Sequence, residues 1–361
     1  MAEEEDIIST LPDAILCHIL SFLQTKQSVA TSILSKRWKH LFLSVPVLYF
    51  KTTVTDQNEY IRFNDFVYSV LLSRDPALPI KTFFLEFTFN DYQILSPHCP
   101  MDTITKWVKF VAQRGVQYID LYVGTVAFPE MPISILTCST LVVLNLQCFS
   151  VEETFSPVLL PSLKTLHLEN IWFNKLRDLM LFLNGCPILE DLFTFNVLFD
   201  SEESLTCDEW KTFCLSNLTR ADIDCFSSHF PLKAVHNVSS LRLQIDRVNC
   251  RNDFISTFHN LTHLELIYLN YSWHFLLQVL KLSPKLQELK IDQAGLNKDY
   301  WTRKDDKENW VDPDFVPQCL SLHLRTCNLV NFLGLQGELQ LARAMWERVV
   351  VISNVQLCKQ R

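Results

Sequence analysis

The side chains best suited to chemistry are a metal-capable triplet, Cys319, His323 and Cys327, at successive four-residue intervals. A structural zinc site takes four nitrogen or sulfur ligands, and no fourth ligand stands at a matching interval. The triplet therefore reads as a strand or turn with incidental thiols, and no metal is expected. His263 and Glu265 alternate along one strand face, a spacing that suits a surface hydrogen bond better than general acid–base work. Neither a Gly-x-Ser-x-Gly elbow nor a His-Glu-x-x-His helix occurs. The chain holds 6 glycines in 361 residues and no Gly-x-Gly-x-x-Gly or Gly-Lys-Ser/Thr loop, so nucleotide chemistry has no visible seat. The expectation is a non-enzyme without a cofactor.

Charge narrows the partners. With 32 Lys and Arg against 40 Asp and Glu, the formal net charge is −8. Nucleic-acid binding needs a surplus of cations to neutralise phosphate, so none is expected. At 48% hydrophobic and 20% charged, the chain is apolar enough to bury a large core, and its length gives a prior of about two to three domains. The opening Met-Ala-Glu-Glu-Glu-Asp has no basic region ahead of an apolar stretch, and no uncharged apolar run approaches the ~18 residues of a membrane span. An intracellular protein, in cytoplasm or nucleus and away from membranes, is expected, its 12 scattered cysteines reduced. The Asn-x-Ser/Thr triplets at Asn217, Asn237, Asn260 and Asn270 would be glycan acceptors only in a secreted chain.

What positions the interacting residues is a short helical module followed by repeats. Pro12 suits a first helical turn, and Ile15, Leu16, Ile19, Leu20 and Leu23 form a broad apolar stripe behind it. Thr25 is placed to cap a second helix with Val29, Ile33 and Leu34, and Ser35 a third with Trp38, Leu41 and Phe42. Three helices in so short a segment cannot bury all of this surface among themselves, so part of it should face something else.

The template apolar-x-x-apolar-x-apolar then recurs. It occupies Val116/Ile119/Leu121, Leu141/Leu144/Leu146, Leu163/Leu166/Leu168, Leu218/Ala221/Ile223, Val238/Leu241/Leu243, Leu261/Leu264/Leu266 and Leu286/Leu289/Ile291. A weaker copy, Leu189/Leu192, ends in Thr194, and Ile80/Phe83/Leu85 is an earlier one. From Val116 onward the leading residues step by 25, 22, 26, 29, 20, 23 and 25, intervals that bracket a leucine-rich repeat. Alternation places the apolar pair of each strand inward. Asp102–Ala112 and Trp273–Leu282 read as helices of the return layer. The expected fold is an α/β solenoid, three N-terminal helices leading into a repeat arc, with the repeats spanning 79–295.

The intervening strand positions should line the concave sheet face. They include Tyr118, Asp120, Tyr122, Asn145, Gln147, His167, Glu169, Phe193 and Phe195, then Asp222, Asp224, Arg242, Gln244, His263, Glu265, Lys290 and Asp292. Aromatic side chains mixed with both signs of charge suit protein recognition.

Three segments resemble known modules. Leu11-Pro12-Asp13-Ala14-Ile15-Leu16-Cys17-His18-Ile19-Leu20-Ser21-Phe22-Leu23, closed by Leu34-Ser35-Lys36-Arg37-Trp38, resembles the F-box over 9–50. Phe42 departs from it where relatives usually carry Trp. The resemblance implies a Skp-type adaptor, and through it a cullin, contacted at or near Leu11, Pro12, Ile15, Leu16, Ile19, Leu20, Leu34 and Trp38. The Cys-Pro-Ile-Leu-Glu-Asp-Leu run at 186–192 resembles the repeats of plant F-box proteins. The family's asparagine ladder is read as largely replaced by Phe149, Ile171, Phe226, Leu269 and Ala294. Trp310-Val311-Asp312-Pro313-Asp314-Phe315 and Glu338-Leu339-Gln340-Leu341 are similar to an FBD segment over 310–355, its middle departing from the usual wording. These resemblances imply a substrate-recognition subunit of an SCF-type ubiquitin ligase holding an unidentified target protein on its repeats. The alternative is an interaction scaffold outside the ubiquitin pathway, whose F-box-like helices only cap the solenoid.

Overall fold

The structure is a computed structural model that describes residues 7–89, 101–124, 128–151, 157–201, 203, 205–206, 213–225, 232–245, 256–267, 273–293, 317–332 and 336–348. The chain forms two compact units, Met1–Leu163 and Lys164–Arg361.

The first unit begins with α1 (Ile7–Thr10), α2 (Asp13–Leu20), α3 (Thr25–Ala30), a 3-10 turn (Thr31–Ile33) and α4 (Trp38–Ser44). Four helical pieces and a turn thus replace the expected three helices, and both expected caps move. Thr25 lies inside α3 and is buried, its Oγ1 accepting from the Tyr49 amide at 2.8 Å, while Gln27 Oε1 accepts from the Gln24 amide at 3.2 Å. α4 starts at Trp38 with Arg37 at its N-cap position and no side-chain cap. The guanidinium of Arg37 is used elsewhere, on the carboxylate of Asp13 and the carbonyl of Leu11. The close of the helical motif is thereby tied to its opening.

A layered repeat follows. β1 (Val47–Val54), β2 (Thr82–Phe89), β3 (Tyr118–Gly124) and β4 (Val143–Val151) pair in parallel, with α5 (Gln57–Ser73) and α6 (Met101–Ala112) between strands. The register aligns the template residue for residue: Phe50 with Leu85, Leu85 with Leu121, Leu121 with Leu146. All of these are buried. β1 carries a copy the sequence reading passed over, Val45/Leu48/Phe50, which is equally buried. α5 was also missed, although Asp56-x-x-Glu59 is a helix-start signature. Asp56 accepts from the Glu59 amide, and Glu59 returns to the amide and hydroxyl of Thr55.

In the second unit β5 (Thr165–Lys175), β6 (Asp191–Phe195), β8 (Arg220–Cys225), β9 (Ser240–Ile245), β10 (His263–Ile267), β11 (Glu288–Asp292) and β12 (Thr326–Val330) lie side by side in parallel. A short β7 (Leu198–Ser201) pairs with β5. Helices α7 (Leu176–Asn184), α8 (Trp273–Lys281) and α9 (Gln318–Leu322) precede strands, and α10 (Gln336–Arg348) follows β12. The degenerate copy is a full member: Thr194 is buried and sits in register between Leu168 and Ile223. Leu324/Cys327/Leu329 is a further buried copy, with a thiol in the second position.

Two ladders bind successive repeats, where the sequence pattern reads the asparagine ladder as largely absent. Phe149 and Ile171 are fully buried packing residues, while Phe226, Leu269 and Ala294 lie outside the described residues. The residue just before each of those two takes the turn instead. Cys148, Asn170, Asn196 and Asn331 all have positive φ, from 50° to 65°, a region asparagine tolerates better than most residues. Asn196 Nδ2 donates to Asn170 Oδ1 at 2.6 Å, and Asn331 Nδ2 to Asp292 Oδ1 at 2.7 Å. The second ladder precedes the strands. Asn217 donates to Pro187 O, Asn237 to Ser216 O and Asn260 to Asn237 Oδ1, while the hydroxyls of Thr219, Ser239 and Thr262 donate to the carbonyls of Glu190, Thr219 and Ser239.

Candidate functional site

The first candidate surface is the N-terminal module. Leu16, Leu20, Trp38, Leu41 and Val45 close a small core, with Leu11, Cys17, Leu23 and Val47 packed against it. Leu16, Leu20 and Trp38 are therefore internal and do not offer themselves to a partner. Ile15 and Ile19 remain 45% and 44% exposed, and Leu34 is 64% exposed. Pro12 is exposed as well, and Phe22 and Ile33, which the sequence reading did not assign to this surface, are exposed large hydrophobics. The split follows from helix periodicity: Leu16 and Leu20 share one side of α2, and Ile15 and Ile19 the adjacent side. Exposed large apolar side chains concentrated in one short module are what an interaction surface supplies.

Within the same unit, Tyr118, Asp120 and Tyr122 alternate on the open face of β3, half-buried. Asn145 on the neighbouring strand donates to Asp120 at 2.9 Å and to the Tyr118 hydroxyl at 3.0 Å, and that hydroxyl donates to Asp120 at 3.2 Å. Burial pushes the Tyr118 phenol up, with the Asp120 charge adding to it. This is a closed polar knot with little left to offer a ligand.

The second unit carries another candidate surface. Register places His167, Phe193, Asp222, Arg242, Glu265, Lys290 and Asn328 in one row across the strands. The row lines a recess of about 530 Å³ together with Asp191, Arg220, His263 and Glu288. From β8 to β11 the signs alternate, and neighbours pair: Arg242 with Asp222 at 2.8 Å and with Glu265 at 3.7 Å, Lys290 with Glu265 at 2.8 Å. One layer below, Arg220 pairs with Asp191, and His263 lies 3.5 Å from Glu288. At the β5 end the His167 and Phe193 rings meet at 3.9 Å between centroids, and His167 Nε2 lies 3.7 Å from Glu169. Burial pushes the Asp222 carboxyl above the usual carboxylate range, against the opposing pull of Arg242.

Two of the expected face positions are closed off: Asp224 and Gln244 are buried, and Asp224 accepts from the Asn196 amide at 3.4 Å. The Asp224 carboxylate serves the turn at Asn196. The alternation of charge was legible in principle, since Asp222, Arg242, Glu265 and Lys290 occupy the same template position in four successive repeats. Pairing them requires aligning intervals of unequal length.

The Cys319, His323 and Cys327 triplet does not converge. Cys319 is buried and its thiol donates to Leu280 O at 3.3 Å, Cys327 is buried inside β12, and His323 is exposed. Among the described residues no helix is long and apolar enough to cross a membrane. The start of the C-terminal segment singled out in the sequence, Trp310 to Phe315, lies outside the described residues.

Comparison with known proteins assigns these modules. Residues 8–50 match the F-box domain, residues 104–214 the family described as FBD-associated F-box protein At5g56370, LRR repeats, and residues 312–343 the FBD family. FBD-associated F-box protein At5g56370 of Arabidopsis thaliana is 30% identical, over 93% of this chain and 86% of its own length. F-box/FBD/LRR-repeat protein At4g26340 of the same plant is 30% identical, over 93% of this chain and 88% of its own. Exposed apolar groups on a sealed helical module, a repeat sheet with a charged open face and near full-length likeness to these relatives lead to one assignment: the chain belongs to the F-box/FBD/LRR-repeat family of plant proteins.

Proposed function

We propose that this protein is a non-catalytic substrate receptor of an SCF-type ubiquitin ligase. Its N-terminal module binds a Skp-type adaptor, which links it to a cullin, and its repeat sheet holds a target protein. The observation that carries this reading is the division of one apolar stripe into a sealed half, Leu16 and Leu20, and an exposed half, Ile15 and Ile19. The sealed half closes the module's core, and the exposed half, with Pro12 and Leu34 also exposed, supplies the apolar anchors that interface cores use. Holding a target beside a ubiquitin-loaded enzyme raises its effective concentration and requires no reacting group from this chain.

The test is co-purification of the full chain with a Skp-type adaptor, comparing the wild type with Ile15→Asp/Ile19→Asp/Leu34→Asp. The variant should lose the adaptor while still unfolding cooperatively, because no side chain of the sealed core is changed. Adaptor retained by the variant, or absent from the wild type, refutes the reading.

A further inference from the structure

The open face of the second unit is not uniform. Toward β9–β11 its charges are matched in a chain of ion pairs. Toward β5 and β6 the character changes to aromatic and acidic. Phe195 stands 40% exposed in register with Glu169, and Phe193, two residues earlier on the same face, lies in register with Asp222. Asp191 precedes Phe193 by two residues on that face. Two phenyl rings are thus flanked by three carboxylates, two of them paired with a guanidinium, Arg220 on Asp191 and Arg242 on Asp222. The His167 imidazole meets the Phe193 ring at 3.9 Å between centroids and leaves Phe195 the more open of the two. We propose that Phe193 and Phe195, ringed by Glu169, Asp191 and Asp222, seat a lysine or arginine side chain from an extended basic segment of the target protein.

Charge and ring chemistry favour that occupant. A cation is attracted to the face of an aromatic ring, more so where water is partly excluded. An anionic group in the same place would meet three carboxylates against two guanidiniums, and a neutral apolar one would desolvate these charges without return. Asp222 adds a further argument. Its carboxyl is held above its ordinary range by burial although Arg242 Nη1 donates to both of its oxygens, so a further cation beside it favours its charged form. Arg220 is 71% exposed along its side chain and is free to swing aside at little cost. The seat rests on reading the open face as the side that takes the target.

Fluorescence anisotropy of the purified full chain with labelled Gly/Ser peptides tests it, one carrying spaced arginines and one carrying glutamates at the same positions. The arginine peptide should bind saturably and more weakly as salt rises, with the glutamate peptide unbound. Phe195→Ala and Glu169→Gln, both on the solvent side, should each weaken binding by about tenfold. Glu86→Gln, in the first unit, should leave it unchanged. Equal binding of the two peptides, or an affinity within about twofold of wild type in both face variants, overturns the proposal. The adaptor assay is independent: a chain that recruits the adaptor but ignores the arginine peptide loses only the seat, and one that binds the peptide without an adaptor loses only the ligase reading.

Discussion

Asn260 donates its side-chain amide to Asn237 Oδ1 at 2.7 Å, one repeat away, and Asn237 in turn donates to the carbonyl of Ser216. Two residues on, the hydroxyls of Thr262 and Ser239 make the same step to the preceding repeat. The Asn-x-Ser/Thr triplets at Asn217, Asn237 and Asn260 are therefore stacking elements whose amide and hydroxyl are both spent on a neighbour. Asn237→Ala removes one donor and one acceptor from an exposed ladder and should cost about 1 kcal/mol in urea unfolding. Thr262→Val, which keeps shape but loses the donor, should cost a similar amount. Variants as stable as wild type at both positions would remove the ladder from the account of repeat stacking.

The N-terminal module predicts opposite outcomes for side chains next to each other in sequence. Leu16→Ala opens a cavity in a core of only five fully packed side chains and should cost about 3 kcal/mol, enough to loosen the module. Ile15→Ala and Ile19→Ala should each cost less than about 1 kcal/mol, since both are already half in water. Hydrogen exchange of α2 amides gives the comparison directly. Protection lost in the Ile19 variant to the same degree as in the Leu16 variant would mean that the exposed stripe is part of the fold.

How much of this was legible follows from the period of each feature. The inward residues of nearly every repeat were readable because alternation along a strand and recurrence between strands reinforce one another, even for Thr194. Val45/Leu48/Phe50 escaped because it overlaps the helical module, and Leu324/Cys327/Leu329 because its second position is a cysteine. The turn ladder was displaced by one residue: Asn170 and Asn196 hold left-handed backbone, which a linear pattern does not reveal. Which half of the α2 stripe faces water depends on where α4 packs, a tertiary fact. The row from Asp222 to Lys290 depends on register across repeats of unequal length.

Arg74 shows a different economy. Its guanidinium is almost completely buried, Nη1 donates to Phe42 O at 3.4 Å, and Nε and Nη2 have no protein partner among the described residues. Burial, with Arg114 nearby, lowers its pKa to about 10. A buried cation so poorly matched contributes little to stability, and apolar replacements of similar size are often neutral or better. Arg74→Met should be at least as stable as wild type. Arg74→Ala, which also leaves a void, should lose about 2 kcal/mol or more. A Met variant that melts well below wild type would show that the guanidinium itself stabilises the fold.

Thiol chemistry supplies a pH test. Burial raises Cys186 and Cys327 to about 12 and Cys319 to about 11, each from an ordinary thiol value of 9.0. Because the thiolate is the reactive form, these three should resist alkylation in the folded protein at mildly alkaline pH, while exposed Cys214 reacts promptly. Mass spectrometry of peptides after a short iodoacetamide pulse, with and without denaturant, separates the two groups. The same shifts fix the direction of the stability change. Below pH 9 both the folded and unfolded chains hold these protons, and the stabilisation from neutral burial is complete. As pH rises from about 9 through the folded values near 11 and 12, the unfolded chain releases protons that the folded chain retains, so unfolding becomes steadily easier. Replacing Cys327 with Ala should flatten this alkaline loss relative to wild type even though it removes some packing. An unchanged slope would mean that the buried thiols do not control it.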